Sequence, residues 1–258
     1  MQETSTARNL YTRKLNESIA AYRTSLGARP PILNCLVLDH SGSMNTYDPV
    51  SNTTPIELLN GSIQTFQQAF QTDPLLTPFL GQIQLAVVSY ASTVKVEAHF
   101  APPSAIEPIR LKAGGLTHTG DALQKALELV RTERAMIDAT QVARSQSVKC
   151  LILLLTDGKT SEDNQDALQA FIHTPHRDVT ILPIAMGAGA NMEELRAIST
   201  AARHQVLQME DHSPKVYAAL STILVSSTST FSSNRRGKVD LSRLYIPDGV
   251  RLVEFEDL

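Results

Sequence analysis

The chain has 258 residues, 42% hydrophobic and 19% charged, with 23 basic against 26 acidic side chains and a formal charge of −3. That length allows one large domain or two small ones, and a core of this size needs no disulfide or metal merely to fold. The near-balanced charge argues against a general nucleic-acid binder or an anionic-membrane binder.

The N-terminal stretch lacks the apolar centre of a secretory signal. Instead Tyr11, Leu15, Ile19, Tyr22 and Leu26 recur at helical steps and predict an amphipathic helix over 3–27, ending near Gly27 before Pro30-Pro31. Residues 1–30 are therefore expected to be a helical extension whose apolar stripe either packs on the body of the chain or docks a partner or a second copy. From Ile32 the pattern alternates strand and helix. Ile32–Leu38 is an almost wholly apolar run, as in a parallel strand covered on both faces. Thr54 offers an N-cap with Pro55 at the first helical position, opening a helix to about Phe70.

Ile83–Tyr90 and Val94–Phe100 are two strands separated only by Ala91-Ser92-Thr93, too short for a parallel crossover, so they predict an antiparallel hairpin at one sheet edge. A short helix is expected over Ser104–Arg110, then a glycine-containing loop and a helix carrying Ala122, Leu123, Ala126, Leu127 and Val130 on one side. Val148–Leu155 reads as the central strand, followed by a helix at Asp166–Ile172, a strand at Val179–Ala185, a helix at Met192–Ala202 and a strand at Val206–Met209. The last helix, Pro214–Val225, runs into the polar stretch Ser226–Ser233. No run approaches the length of a membrane span, and Cys35 and Cys150 lie singly in apolar runs without zinc-ligand spacing, as expected of a cytoplasmic protein with buried thiols. The fold class is α/β: a doubly wound, mostly parallel sheet of about six strands, one antiparallel edge strand, and helices on both faces.

In such a sheet ligands sit beyond the carboxyl ends of the strands, where strand order reverses. Three loops there carry oxygen-bearing side chains beside glycines. They are Asp39-His40-Ser41-Gly42-Ser43, Gly114-Gly115-Leu116-Thr117, and Thr156-Asp157-Gly158. Ser41, Ser43 and Thr117 offer neutral hydroxyls and Asp39 and Asp157 negative charge, a donor set suited to a hard divalent cation.

These three segments resemble, in order and residue by residue, the metal-ion-dependent adhesion site of the von Willebrand factor A domain family. The resemblance covers about residues 31–232 and leaves 233–258 as a C-terminal extension. The Gly-Gly-x-Thr loop and Val225-Ser226-Ser227 are similar to the bacterial intracellular branch typified by the tellurium-resistance protein TerY. The resemblance implies Mg²⁺ (or Mn²⁺ or Ca²⁺) held directly by Ser41, Ser43 and Thr117, with Asp39 and Asp157 acting directly or through water. It implies a binding module rather than an enzyme, whose partner is a protein presenting Asp or Glu to the cation. Relatives in that branch imply a scaffold role, in some cases beside protein kinases and phosphatases. Neither nucleic acid nor membrane is expected as a partner, and the oligomeric state is open.

Other polar groups have surface or capping readings as well. His118 and Asp121 adjoin Thr117 and are either rim residues or a loop histidine and a first-turn acid. His173 and His176 lie in a proline-broken loop. Glu254, Glu256 and Asp257 are either a solvated end or carboxylates for a neighbouring copy. Gly158-Lys159-Thr160 lacks the earlier glycine of a phosphate-binding loop, since position 153 is Leu. An aspartyl phosphotransferase of haloacid-dehalogenase type is the alternative function. It needs a second carboxyl where Ser41 stands, and a hydroxyl cannot serve as that acid/base.

Overall fold

A computed structural model describes residues 31–47, 52–139, 148–201, 204–233 and 244–253. The predicted N-terminal helix over 3–27 and the acidic residues Glu254, Glu256 and Asp257 lie outside the described residues. The apolar run after Pro31 forms β1 (Ile32–Asp39), buried along its whole length, as a strand covered on both faces must be. α1 (Pro55–Thr72) opens as expected: Pro55 stands at its first position, and Glu57 Oε2 accepts the N–H of Thr54 at 3.1 Å. β2 (Ile83–Tyr90) and β3 (Val94–Ala101) form the antiparallel hairpin. Then come α2 (Thr119–Ala139), β4 (Lys149–Thr156), α3 (Gln165–Ile172), β5 (Thr180–Met186), α4 (Met192–Ile198), β6 (Val206–Met209), α5 (Pro214–Ser233) and β7 (Val250–Val253).

The strands make one sheet in the order β3-β2-β1-β4-β5-β6-β7. The five inner strands run parallel, and β3 and β7 run antiparallel at the two edges. Alternate residues of β1 feed opposite cores. Ile32, Leu36 and Leu38 pack with α1 and α5 through Leu59, Phe66, Leu220 and Leu224. Leu33, Cys35 and Val37 pack with α2, α3 and α4 through Leu123, Leu127, Phe171 and Leu195. Cys35 and Cys150 are buried free thiols. Among the described residues no helix is long and apolar enough to cross a membrane.

Three elements depart from the sequence expectation. The tail supplies β7, so the sheet has seven strands rather than about six and an antiparallel strand at both edges. The segment Ser104–Arg110 forms only the 3₁₀ turn Pro103–Ala105, because Pro108 has no N–H for a helix and holds Glu107 away from the helical region. α5 continues through its polar end to Ser233. There Ser232 donates to the carbonyl of Thr228 at 2.6 Å, while Thr228 Oγ1 accepts from Asn34 Nδ2 of β1 at 2.7 Å. Hydroxyls satisfied in this way can be buried without ending the helix.

Candidate metal centre

β1 lies between β2 and β4, and the chain leaves it in opposite directions, so the crevice at its carboxyl end is the switch point of the sheet. Asp39, the last residue of β1, is fully buried there and stands in register with Tyr90 of β2. Its Oδ1 accepts the N–H of Ser41 at 2.8 Å, and its Oδ2 accepts the hydroxyl of Thr156, the last residue of β4, at 2.6 Å. The chain then turns through a 3₁₀ helix, Gly42–Asn45. This turn leaves Ser41 Oγ and Ser43 Oγ 3.1 Å apart, and Ser43 donates to Asp157 Oδ1 at 2.8 Å.

The third loop is brought in by backbone. Gly42 N–H donates to the carbonyl of Gly115 at 3.0 Å, and a Cβ on Gly42 would stand 3.3 Å from that same oxygen. Thr117 is tied to Ser161 from both sides, and a Cβ on Gly158 would lie 3.8 Å from Thr117 Oγ1. Asp39, Ser41, Ser43, Thr117 and Asp157 therefore converge on one crevice from three separated segments.

His118, His173 and His176 are engaged locally. His118 Nε2 lies 3.0 Å from Asp163 Oδ2 and its Nδ1 3.9 Å from Asp121 Oδ2, a rim cluster of its own. His173 Nδ1 meets the carbonyl of Gln169 at 2.7 Å, and His176 Nε2 meets that of Phe171 at 2.9 Å, so both close the end of α3. Among the described residues no three His, Cys, Asp or Glu side chains gather as metal ligands. Any cation in the crevice must be held largely by hydroxyls.

Burial pushes Asp39 up to about 6, against the pull of its hydrogen bonds from Thr156 and Ser41, and the charge of Asp157 pushes the same way as burial. Burial also raises Asp157, while Ser43 and the charge of His212 act downward. Among the described residues neither carboxylate is ion-paired with Lys or Arg. Two buried carboxylates without a lysine or arginine partner are costly when both are ionised. Three hydroxyls and two carboxylates fit a hard, oxygen-seeking divalent cation, which would remove that cost.

Several supporting residues were not identified in the sequence. Ser161 fixes Thr117, and Asn164 Oδ1 accepts the N–H groups of Gly120 and Asp121 at 2.8 and 3.3 Å, capping α2 from a distant loop. The only sequence signal for them is the run of small polar residues after Asp157-Gly158. Beside Ser43 and Asp157 a cleft of about 540 Å³ opens, walled by Pro55, Gly189 and His212. A Cβ on Gly189 would stand 2.8 Å from the Asp157 carbonyl, so glycine lets the loop after β5 lie against the site.

Among solved structures, the chain is similar to a von Willebrand factor type A protein from Catenulispora acidiphila, with 20% identity and a TM-score of 0.52 over 78% of this chain and 43% of that one. It is also similar to the PilB minor pilin of Streptococcus sanguinis, with 11% identity and a TM-score of 0.55 over 80% and 64% of the respective chains. These likenesses establish the fold. The uncharacterised protein sll0103 of Synechocystis is 28% identical over 206 residues, covering 80% of this chain. The chain spans only 44% of that curated relative. The family model of the von Willebrand factor type A domain matches residues 35–219, from within β1 through β6 into α5, and the chain belongs to that family.

Proposed function

We propose that the protein is a cation-dependent binding module that captures an acidic side chain of a partner protein. The family often mediates metal-dependent protein interactions, and its members are generally interaction modules rather than enzymes. The observation that carries the reading is the 2.8 Å hydrogen bond from Ser43 to Asp157, which closes two separated loops around the buried Asp39. Ser41, Ser43 and Thr117 would hold Mg²⁺, or Mn²⁺ or Ca²⁺, through their hydroxyls, with Asp39 and Asp157 acting directly or through water. The bound cation supplies an electrophilic position for a carboxylate. The residues of this chain orient the ligands and keep a neutralising lysine or arginine out. The resemblance to the TerY branch leads us to infer a scaffold role in the cytoplasm, within a kinase- or phosphatase-associated assembly.

The phosphotransferase alternative fits less well. Both carboxylate oxygens of Asp39 already accept hydrogen bonds in a fully buried position, whereas a nucleophile must reach its substrate. Calorimetric titration with Mg²⁺ and Mn²⁺ tests the proposal. Saturable binding by the wild-type chain and its loss in Asp39→Ala are expected. Equal, weak binding by both overturns it, and phosphate release from a generic phosphomonoester would restore the alternative.

A further inference from the structure

The cleft beside the candidate centre is shaped by residues that cation binding does not require. His212 follows β6 and lines the cleft together with Ser43 and Asp157. Its ring stacks on Tyr217 with centroids 6.0 Å apart, and its Nδ1 lies 3.1 Å from the Tyr217 hydroxyl. With the phenol donating to Nδ1, the imidazole proton stands on Nε2. No hydrogen bond from Nε2 occurs among the described residues. Nε2 sits over Gly187, whose φ is +86° and where a Cβ would stand 2.5 Å from that nitrogen. Glycine at 187 thus lets the ring lie down in the wall. His212, with no hydrogen bond from Nε2 among the described residues, therefore stands in the lining of a cleft shared with Ser43, Asp157 and Asp211.

We infer that His212 is a specificity-determining residue of the binding surface: its Nε2–H donates to the acidic segment of the partner protein seated in the cleft. This inference rests on the cation-capture reading and adds to it a second, directional point of attachment. A cation alone accepts any carboxylate that reaches it. A fixed donor beside it selects segments that place a further acceptor, the second carboxylate oxygen or a neighbouring side-chain oxygen, in the cleft. A hydrogen bond between this donor and a charged acceptor has the strength to change affinity about tenfold or more.

The test uses the full chain and peptides selected by display from a random library with a fixed central Asp or Glu, in the presence of Mg²⁺. The best selected peptide is then titrated against wild type, His212→Phe, His212→Gln and Asp39→Ala. Phe keeps the ring and removes the donor, whereas the Gln amide nitrogen approximates Nε2. We expect affinity to fall at least tenfold in His212→Phe and to stay within about threefold in His212→Gln, with Mg²⁺ affinity unchanged in both. Peptide addition should also shift the Nε2 nitrogen resonance of His212 in the wild-type chain, a readout independent of how the variants fold. Undiminished binding by His212→Phe, or an unmoved Nε2 resonance, overturns the role of His212 and leaves cation capture standing. Absence of any Mg²⁺-dependent peptide, or full binding by Asp39→Ala, overturns cation capture and this inference with it.

Discussion

Thr117 and Ser161 exchange two hydrogen bonds: the N–H of Thr117 donates to Ser161 Oγ at 2.8 Å, and the N–H of Ser161 returns to the Thr117 carbonyl at 3.0 Å. The loop entering α2 and the loop leaving β4 are thereby locked together at the centre. Ser161→Ala removes one of the two bonds and leaves the Thr117 N–H without its partner. We expect a stability loss of about 1 kcal/mol and a several-fold weaker Mg²⁺ affinity, read by denaturant unfolding and calorimetry. An unchanged affinity would mean that Thr117 is positioned without Ser161.

Asp39 carries the pH prediction. Its carboxyl rises from 3.8 in the unfolded chain to about 6 in the fold, so the folded state binds the proton more tightly. The stability it contributes is present below about pH 4 and is lost as pH rises through 6, a span of about 3 kcal/mol. In EDTA, Asp39→Asn should be the more stable chain at pH 7.5, with the gap closing towards pH 4. Excess Mg²⁺ at pH 7.5 should narrow or reverse it, because only the wild type gains the cation. Urea midpoints of the two chains across this range check the sign.

Two glycines make a paired test of packing. At Gly120 a Cβ would stand 2.3 Å from Leu168 N and 2.7 Å from the carbonyl carbon of Ala167, so α2 and α3 touch backbone to backbone. Gly120→Ala should cost about 1–3 kcal/mol or more and loosen the Asn164 cap. At Gly61, exposed in the middle of α1, nothing lies within 4 Å. Gly61→Ala should instead stabilise by about 1 kcal/mol. Guanidinium unfolding of both variants distinguishes the signs.

The polar end of α5 can be tested through its link to β1. Thr228→Val strands the amide of Asn34 inside the protein and should cost about 1–3 kcal/mol. Asn34→Leu together with Thr228→Val removes both buried polar groups and should recover much of that loss in a double-mutant cycle. Full additivity of the two single effects would show that the pair does not interact.

The strands and the two-faced sheet were legible because β1 and β4 are apolar along their length, and the three-residue spacing of β2 from β3 admits only a hairpin. The three loops of the candidate centre stood out because each carries oxygen-bearing side chains and glycine at a strand end or helix entry. Ser161, Asn164 and His212 were not. Their partners Thr117, Gly120 and Tyr217 are reached through folded geometry, and a lone polar residue in a loop carries no periodicity. β7 was hidden for a different reason. Four residues, Val250–Val253, with a charged Arg251 among them, are too few for alternation to register. Arg251 earns its place only by donating from Nε and Nη2 to Gln208 of β6 at 3.1 and 2.7 Å. Pro108 was visible in the sequence and argues against the helix expected over Ser104–Arg110.

That last strand has a practical bearing on how the domain is cut for laboratory use. β7 runs against β6 from Val206↔Val253 to Met209↔Val250 and covers what would be an open flank of backbone amides and carbonyls. A fragment trimmed at the end of α5 would keep the crevice but bare that flank. It should self-associate through strand-to-strand contacts, so a soluble minimal domain has to run through Val253.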